Sequence, residues 1–423
     1  MVDFRARDGK GSWPLILGFC CIAHSFSHMF VLMFATVVLV LEREFNMPFA
    51  DLAWLSLPCF VLFGLGAIPA GWLGDRWSMP GMMAVFFIGL GGASIFTGMA
   101  DGPTELMTGL AMIGLFASIY HPVGIAWLVK NATNRGRALG INGVFGSLGT
   151  AAAAAVAGGI GYLLGWRAVF LLPGAVSIML GVIFALVVGN GRLVDASHDQ
   201  QPAAEAGAVD IRRAFVALAL AVLCTGLIYQ STSVGLPKLL SERVPDFLNG
   251  ELDRNVLGAG ALVSGIYLIS ALSQMLGGEL AHRYPIKPVY LAFQILQIPV
   301  FLLAIIAQDW SLIVVAAIMV SLNVAGQPAE NVLLAQYTPL RWRGRVFGAK
   351  FLLTLGISAV GVSLVPLIHA ATGSLDGLFY ALIIFAIGGS AAAMALPRSA
   401  IALPESATAV PPGATTRSGS PAE

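Results

Sequence analysis

Charge is what this 423-residue chain has least of. Asp, Glu, Lys and Arg make up 11% of it and apolar residues 57%, whereas a soluble domain carries about 25% charged residues. The formal net charge is +1, so no one-sided field is available to attract nucleic acid. The four cysteines, Cys20, Cys21, Cys59 and Cys224, all fall inside apolar runs, and so few in such places make no disulfide framework. No Gly-x-x-x-x-Gly-Lys-Ser/Thr loop occurs, so no nucleotide or other cofactor is expected. No nucleophile–base–orienter set can be read, and enzymatic activity is not expected. Ten-residue segments of alternating hydrophobicity are also missing, which excludes a transmembrane β-barrel.

What the chain does have is long apolar runs. Stretches free of Asp, Glu, Lys and Arg cover 11–41, 52–74, 77–100, 106–129, 138–166 and 168–191, then 214–237, 255–278, 288–308, 310–329, 351–375 and 377–397. Each is long enough for a helix to cross the hydrocarbon core, which needs about 20 apolar residues. Backbone groups in lipid must pair within the segment, so each is expected to be a helix. The first run is too long for the apolar stretch of a signal peptide and lacks a small-residue cleavage site. The fold class is therefore an all-α membrane protein of twelve transmembrane helices.

Positive charge orients the spans. With the N-terminus inside, inner segments hold 18 of the 23 Lys and Arg residues, and outer loops hold only Arg43, Arg167, Lys238, Arg243 and Arg254. Both termini are expected in the cytoplasm, in a cytoplasmic (inner) membrane of bacterial type. The domains read as residues 1–191, a six-helix bundle; 192–212, a polar linker; 213–397, a second six-helix bundle; and 398–423, a Pro/Ser/Ala/Gly-rich tail expected to be disordered. A monomer is expected, with the lipid bilayer and a small-molecule substrate as partners.

The two bundles repeat one another. Gly71-Trp72-Leu73-Gly74-Asp75-Arg76 answers Gly278-Glu279-Leu280-Ala281-His282-Arg283. His121-Pro122 followed by Arg135-Gly136-Arg137 answers Gln327-Pro328 followed by Arg343-Gly344-Arg345. A same-direction repeat of two hydrophobic halves is the mark of a two-bundle transporter related by a pseudo-two-fold axis. Gly71 and Gly74 permit close helix approach. Asp75 at a tight turn can pair with Arg135 or Arg137, and with Arg76 these residues are read as a cytoplasmic gate. The bland alternative is a charged stop that sets topology alone. In span five, Gly140, Gly143, Gly146 and Gly149, then Gly158, Gly159 and Gly161, form a slowly drifting groove for neighbouring helices.

Polar side chains at membrane depth are few and are functional candidates by default. Span one carries His24 and His28, four apart on one face. Span four carries Tyr120 and His121, span seven Tyr229 and Gln230, span eight Tyr267 and Gln274, and span ten Asn323, Gln327 and Glu330. Spans one, four, seven and ten hold equivalent places in the repeat, so a substrate or proton pathway between the halves is expected there. For His24 and His28, contact with substrate or proton and simple packing stay open as alternatives. Gln274 can equally be read as interhelical glue, and the span-seven hydroxyls as bonding their own helix carbonyls. His24 with His28 and Met29 with Met33 are helical pairs that could pass on a soft cation, with Cys20 four residues before His24. No carboxylate completes a shell at matching spacing, and no metal site is assigned.

These motifs resemble the major facilitator superfamily, over residues 13–397, with Gly71 to Arg76 matching its signature between helices two and three. Within it, His24, Phe45, Pro48, Gly71 to Pro80, Tyr120-His121-Pro122 and Gly146-Ser147-Leu148-Gly149 resemble the fosmidomycin-resistance branch. The resemblance implies proton-coupled export of a small solute by alternating access of two bundles, with Asp75 in the inner gate. Ser27-His28 stands where that branch has Asn-Asp, Val123 where it has an acid, and Gly149-Thr150 where its antiporters have Gly-Pro. Proton carriage then falls to histidine, whose ordinary pKa of about 6.5 is accessible, or to Glu330. The function expected is secondary active transport of a small organic solute, coupled to protons. The alternatives are movement of a transition metal or metal complex, and a transporter-like receptor or assembly factor that moves nothing.

Overall fold

The computed structural model describes residues 12–132, 134–193, 211–244, 252–338 and 343–397. Most of the expected linker, the tail from residue 398, Arg5, Arg7, Lys10, Arg341 and the middle of the longest outer loop lie outside the described residues, as do the side chains of Arg135, Arg343 and Arg345. The described chain is all-helical. Twelve helices are long and apolar enough to span a membrane: α1 (Trp13–Glu44), α2 (Phe49–Arg76), α3 (Met79–Gly98), α4 (Pro103–Asn131), α5 (Arg137–Leu164), α6 (Trp166–Gly189), α7 (Arg212–Arg243), α8 (Val256–Arg283), α9 (Ile286–Ile306), α10 (Asp309–Tyr337), α11 (Gly348–Thr372) and α12 (Asp376–Ala395). They match the twelve charge-free runs one for one. Leu163, Leu272, Ile306 and Ile384 are exposed on the outside of the bundle. So large an apolar surface is tolerated in lipid and not in water.

Small residues set the helix spacing. A Cβ added to Gly91 would lie 2.5 Å from the carbonyl oxygen of Gly174, so α3 and α6 touch backbone to backbone. Ser94 and Ser177 donate across that contact to the Phe170 and Phe87 carbonyls at 2.7 and 2.8 Å. Span five divides its glycines among several surroundings. Gly146 and Gly149 receive the His24 ring and the Ser25 backbone of α1, Gly158 receives Gly260 of α8, and Gly140, Gly143 and Gly159 meet nothing within 4 Å. A step of three residues falls short of one helical turn, so the stripe rotates from one neighbour to the next.

The repeat survives in three dimensions. Gly71 packs against Pro122, and Gly278 packs against Pro328. Two flank contacts join the halves: α5 with α8 through Gly158 and Gly260, and α2 with α11 through Gly64 and Gly356. At Gly64 an added Cβ would fall 1.9 Å from the Gly356 Cα.

Several helices depart from regularity next to this seam. α1 breaks at Met33, and α2 breaks at Leu55-Ser56 and again at Gly66. α4 widens into a π-helical turn over Tyr120–Gly124, where Pro122 has no N–H to donate. α11 does the same over Leu352–Gly356 and then tightens over Ile357–Ala359.

The helices run past the charge-free runs and take in many of the cations assigned to loops, Arg43 of α1 and Arg167 of α6 among them. Lys238 and Arg243 belong to α7, and Lys350 lies inside α11. Arg243 and Lys350 are buried. Each of these three has a carboxylate partner in the folded chain: Glu42 for Lys238, Asp376 for Arg243 and Glu330 for Lys350. Arg243 also donates to the Ala304 carbonyl at 2.7 Å.

Candidate functional site

Three histidines from two helices converge in the first half. His24 and His28 stand one turn apart on α1, and the π-turn of α4 brings His121 against both. Ring centroids are 5.1 Å apart for His24–His28 and 5.4 Å for each of them with His121. One ring nitrogen from each lies within 4.8 Å of the others. His24 Nδ1 is 2.8 Å from the backbone carbonyl oxygen of Asn142 on α5. A carbonyl only accepts, so Nδ1 carries the proton, and the neutral ring presents Nε2 as a lone pair. Asn142 also accepts from the Tyr120 hydroxyl at 2.9 Å, and the Tyr120 ring stacks on His24 at 4.9 Å. His121 is 4% exposed, and neither of its ring nitrogens has a hydrogen-bond partner among the described residues.

A second polar cluster lies in the other half. Glu330 of α10 pairs with Lys350 of α11 at 2.8 Å and accepts from the Tyr290 hydroxyl of α9 at 3.0 Å. Lys350 also donates to Asn331. Both members of the ion pair are buried. Asn323 faces α7 and α9 and takes part in an amide chain. Its Nδ2 donates to Gln297 at 3.3 Å, Gln297 donates to Gln294 at 3.3 Å, and Gln294 donates to Thr225 at 2.8 Å. Thr225 bonds its own helix carbonyl, as the bland reading holds, but Ser231 reaches Gly361 on α11 at 2.8 Å.

Polar groups of the two halves also meet each other directly. Thr150 and Tyr229 hydroxyls are 3.2 Å apart, and Ser147 donates to Gln274 at 3.1 Å. Gln274 thus links helices, and links them across the seam. Phe351 of α11 stacks on His121 at 4.8 Å. Tyr267 bonds Ser233 at 2.8 Å. Gln230 is buried with its Nε2 unpartnered, and Gln327 is half-buried without a hydrogen bond among the described residues.

Toward one end the seam is shut. Thr36, Thr150, Ser233 and Tyr267 enclose a void of about 10 Å³, about the volume a single water needs. Beyond it Lys238 of α7 binds Glu42 of α1 at 3.0 Å and lies over the Phe49 ring at 4.8 Å. Phe49 in turn meets His369 of α11 at 4.9 Å, and His369 pairs with Glu242 at 3.0 Å.

At the opposite end, Gly71 and Gly74 fit against Pro122 and Val123, the two residues after His121. The expected close approach at these glycines therefore buttresses the histidine turn. Asp75 is exposed and bound to nothing among the described residues. Arg76 covers Trp72 at 5.6 Å, and Arg137 is exposed.

The model of the Major Facilitator Superfamily matches residues 19–244 and 239–418, and the chain belongs to that family. Its twelve long apolar helices make it a multi-pass membrane protein of that transporter family. It is 24% identical over 204 residues to a protein of Escherichia coli (strain K12) named "Probable L-galactonate transporter", a match covering 44% of each. The chain thus matches less than half the length of that relative. Among solved structures it is similar to a bacterial homolog of the human lysosomal transporter Spinster, inward-facing and occupied, at 15% identity and TM-score 0.67, covering 90% of this chain and 94% of that one. It is also similar to a POT family transporter in complex with 5-aminolevulinic acid, at 13% identity and TM-score 0.68, with the same coverage. These likenesses support the fold.

Proposed function

We propose that this protein carries a small organic solute through the seam by rocking of its two six-helix halves, with a proton as the coupling ion. The carrying observation is that side chains from the two halves bond each other inside an otherwise apolar chain, at Thr150–Tyr229 and Ser147–Gln274. Polar contacts across a seam can be exchanged for contacts with a polar solute, whereas a fixed apolar seam offers no such exchange. The relatives whose names hold L-galactonate and 5-aminolevulinic acid support a small organic acid as the solute class. The resemblance to fosmidomycin-resistance proteins supports efflux as the direction.

In this reading the Asp75 end is cytoplasmic and the shut Lys238 end is external, in an inner membrane. The proton acts at Glu330. While ionised, Glu330 holds Lys350. On protonation the pair loses its attraction, and α10 and α11 are released from each other.

The test is solute movement in proteoliposomes with an imposed pH gradient, using galactonate, 5-aminolevulinate and a panel of small amphiphilic drugs as probes. The gradient is expected to drive movement of at least one probe in wild type, and Glu330→Gln is expected to leave movement down the solute's own gradient but none against it. Movement indifferent to both the gradient and the substitution would overturn proton coupling. Movement of no organic probe would overturn the solute class.

A further inference from the structure

We propose that His24, His28 and His121 form a binding site for one divalent cation of the Zn²⁺, Co²⁺ or Ni²⁺ type at the edge of the seam. This goes beyond the proposed function and stands whichever solute the seam carries.

The ligand set is complete without rearranging the backbone. Ring nitrogens no more than 4.8 Å apart lie roughly 3 Å or less from a common centre, and a Zn–N bond of about 2.0–2.1 Å is then a side-chain adjustment away. The hydrogen bond from His24 Nδ1 to the Asn142 carbonyl is the outer support that metal-bound histidines characteristically have, since it fixes the tautomer and aims the other nitrogen. The Tyr120 ring on His24 and Gly146 packed against the same imidazole restrict its rotation.

His121 supplies the independent sign of a ligand. Polar atoms buried without partners are costly, and no neighbour among the described residues supplies the missing bonds of the two His121 nitrogens. Gly71 and Gly74 pack against the following Pro122 and Val123 and so support the backbone of this turn. A cation between the three rings would satisfy one nitrogen of His121.

The donor types choose the cation. Three imidazoles suit Zn²⁺, Co²⁺, Ni²⁺ or Cu²⁺, and the absence of any carboxylate from the set disfavours Mg²⁺ and Ca²⁺. Three protein ligands leave a fourth tetrahedral position. Phe351 of the other half stacks on His121, so rocking of the halves changes what covers the cluster. A water or an anionic group of a solute is the natural fourth ligand, because three neutral rings leave the dication's charge uncompensated.

Titration of the purified full-length chain in detergent tests this, with ZnCl₂ and CoCl₂ as probes and MgCl₂ as control. Calorimetry is expected to show one Zn²⁺ per chain and none for Mg²⁺, weakened at least tenfold by His28→Ala and by His121→Gln and unchanged by His282→Ala. Bound Co²⁺ is expected to give the intense visible bands of a tetrahedral site. The wild-type Co²⁺ spectrum decides on its own if the cluster variants fail to fold. Absence of stoichiometric Zn²⁺ binding, binding indifferent to both cluster substitutions, or only the weak bands of octahedral Co²⁺ would overturn the site.

Discussion

Lys238 Nζ lies 3.0 Å from Glu42 Oε2 and joins one half of the transporter to the other at a single end. Glu42 is held in place by the Phe49 backbone N–H at 3.0 Å, and the Phe49 ring lies under the Lys238 ammonium. Lys238→Ala is expected to favour the conformation open at this end. A partly exposed pair contributes about 1 kcal/mol, or roughly fivefold in the closed-to-open ratio. The measurement is the labelling rate of Ser233→Cys by an impermeant maleimide in the two backgrounds. The exchange Glu42→Lys with Lys238→Glu should return the rate toward that of the parent. A rate unmoved by either change would mean that the apolar contacts alone hold this end shut.

Glycines divide sharply by what surrounds them. Gly64→Ala would drive a methyl into the Gly356 backbone, and Gly277→Ala would place one 2.0 Å from the Ala325 carbonyl oxygen. Neither neighbour is the end of a flexible side chain, so each substitution must push a pair of helices apart and should lower the melting temperature in detergent by several degrees. Gly140 and Gly143 meet nothing within 4 Å. Alanine there is expected to be neutral or to stabilise by about 0.5–1 kcal/mol, because it restricts the unfolded chain. Equal effects at all four positions would contradict the assigned helix contacts.

Asn142 holds two members of the histidine cluster's surround at once. Tyr120→Phe removes the donor to Asn142 Oδ1 and leaves that oxygen without this partner, at an expected cost of about 1–3 kcal/mol. The His24 bond goes to the Asn142 backbone, so Asn142→Ala should keep it and cost about the same as Tyr120→Phe. The double variant should cost little more than either single one. Thermal unfolding of the three proteins reads this directly, and additive losses would mean that the two groups act separately.

How much of this was legible follows from range. Hydropathy and missing charge marked twelve spans because each is a local property of about 20 residues. The repeat pairs Gly71 with Gly278 and Pro122 with Pro328, but that each glycine packs on its proline is visible only in three dimensions. The His24–His28 pair is one helical turn and could be read directly. Its third member could be named as a candidate but not joined to the pair, since nothing in the spacing of His28 and His121 reports a π-turn. Asn142 and Phe351 carried no signal, because a lone Asn among glycines and a lone Phe among leucines are ordinary in lipid. Lys350 reads as a topological anchor, because a cation near the end of a run carries no sign of burial. Its burial depends on a carboxylate on another helix.

That buried pair offers the sharpest separation of stability from transport. Among the described residues, Glu330→Gln leaves the Lys350 ammonium with Asn331 alone, and Lys350→Met leaves the Glu330 carboxylate with only the Tyr290 hydroxyl. Removing one partner of a buried pair costs about 3–5 kcal/mol, whereas replacing both by uncharged groups of similar volume is often neutral. Each single variant is therefore expected to melt well below wild type, and Glu330→Gln combined with Lys350→Met to melt near it. If Glu330 carries the coupling proton, the double variant will be folded yet unable to move solute against its gradient, while still moving it downhill. A double variant that is both stable and fully coupled would confine the pair to a structural role and move the search for the proton site elsewhere in the seam.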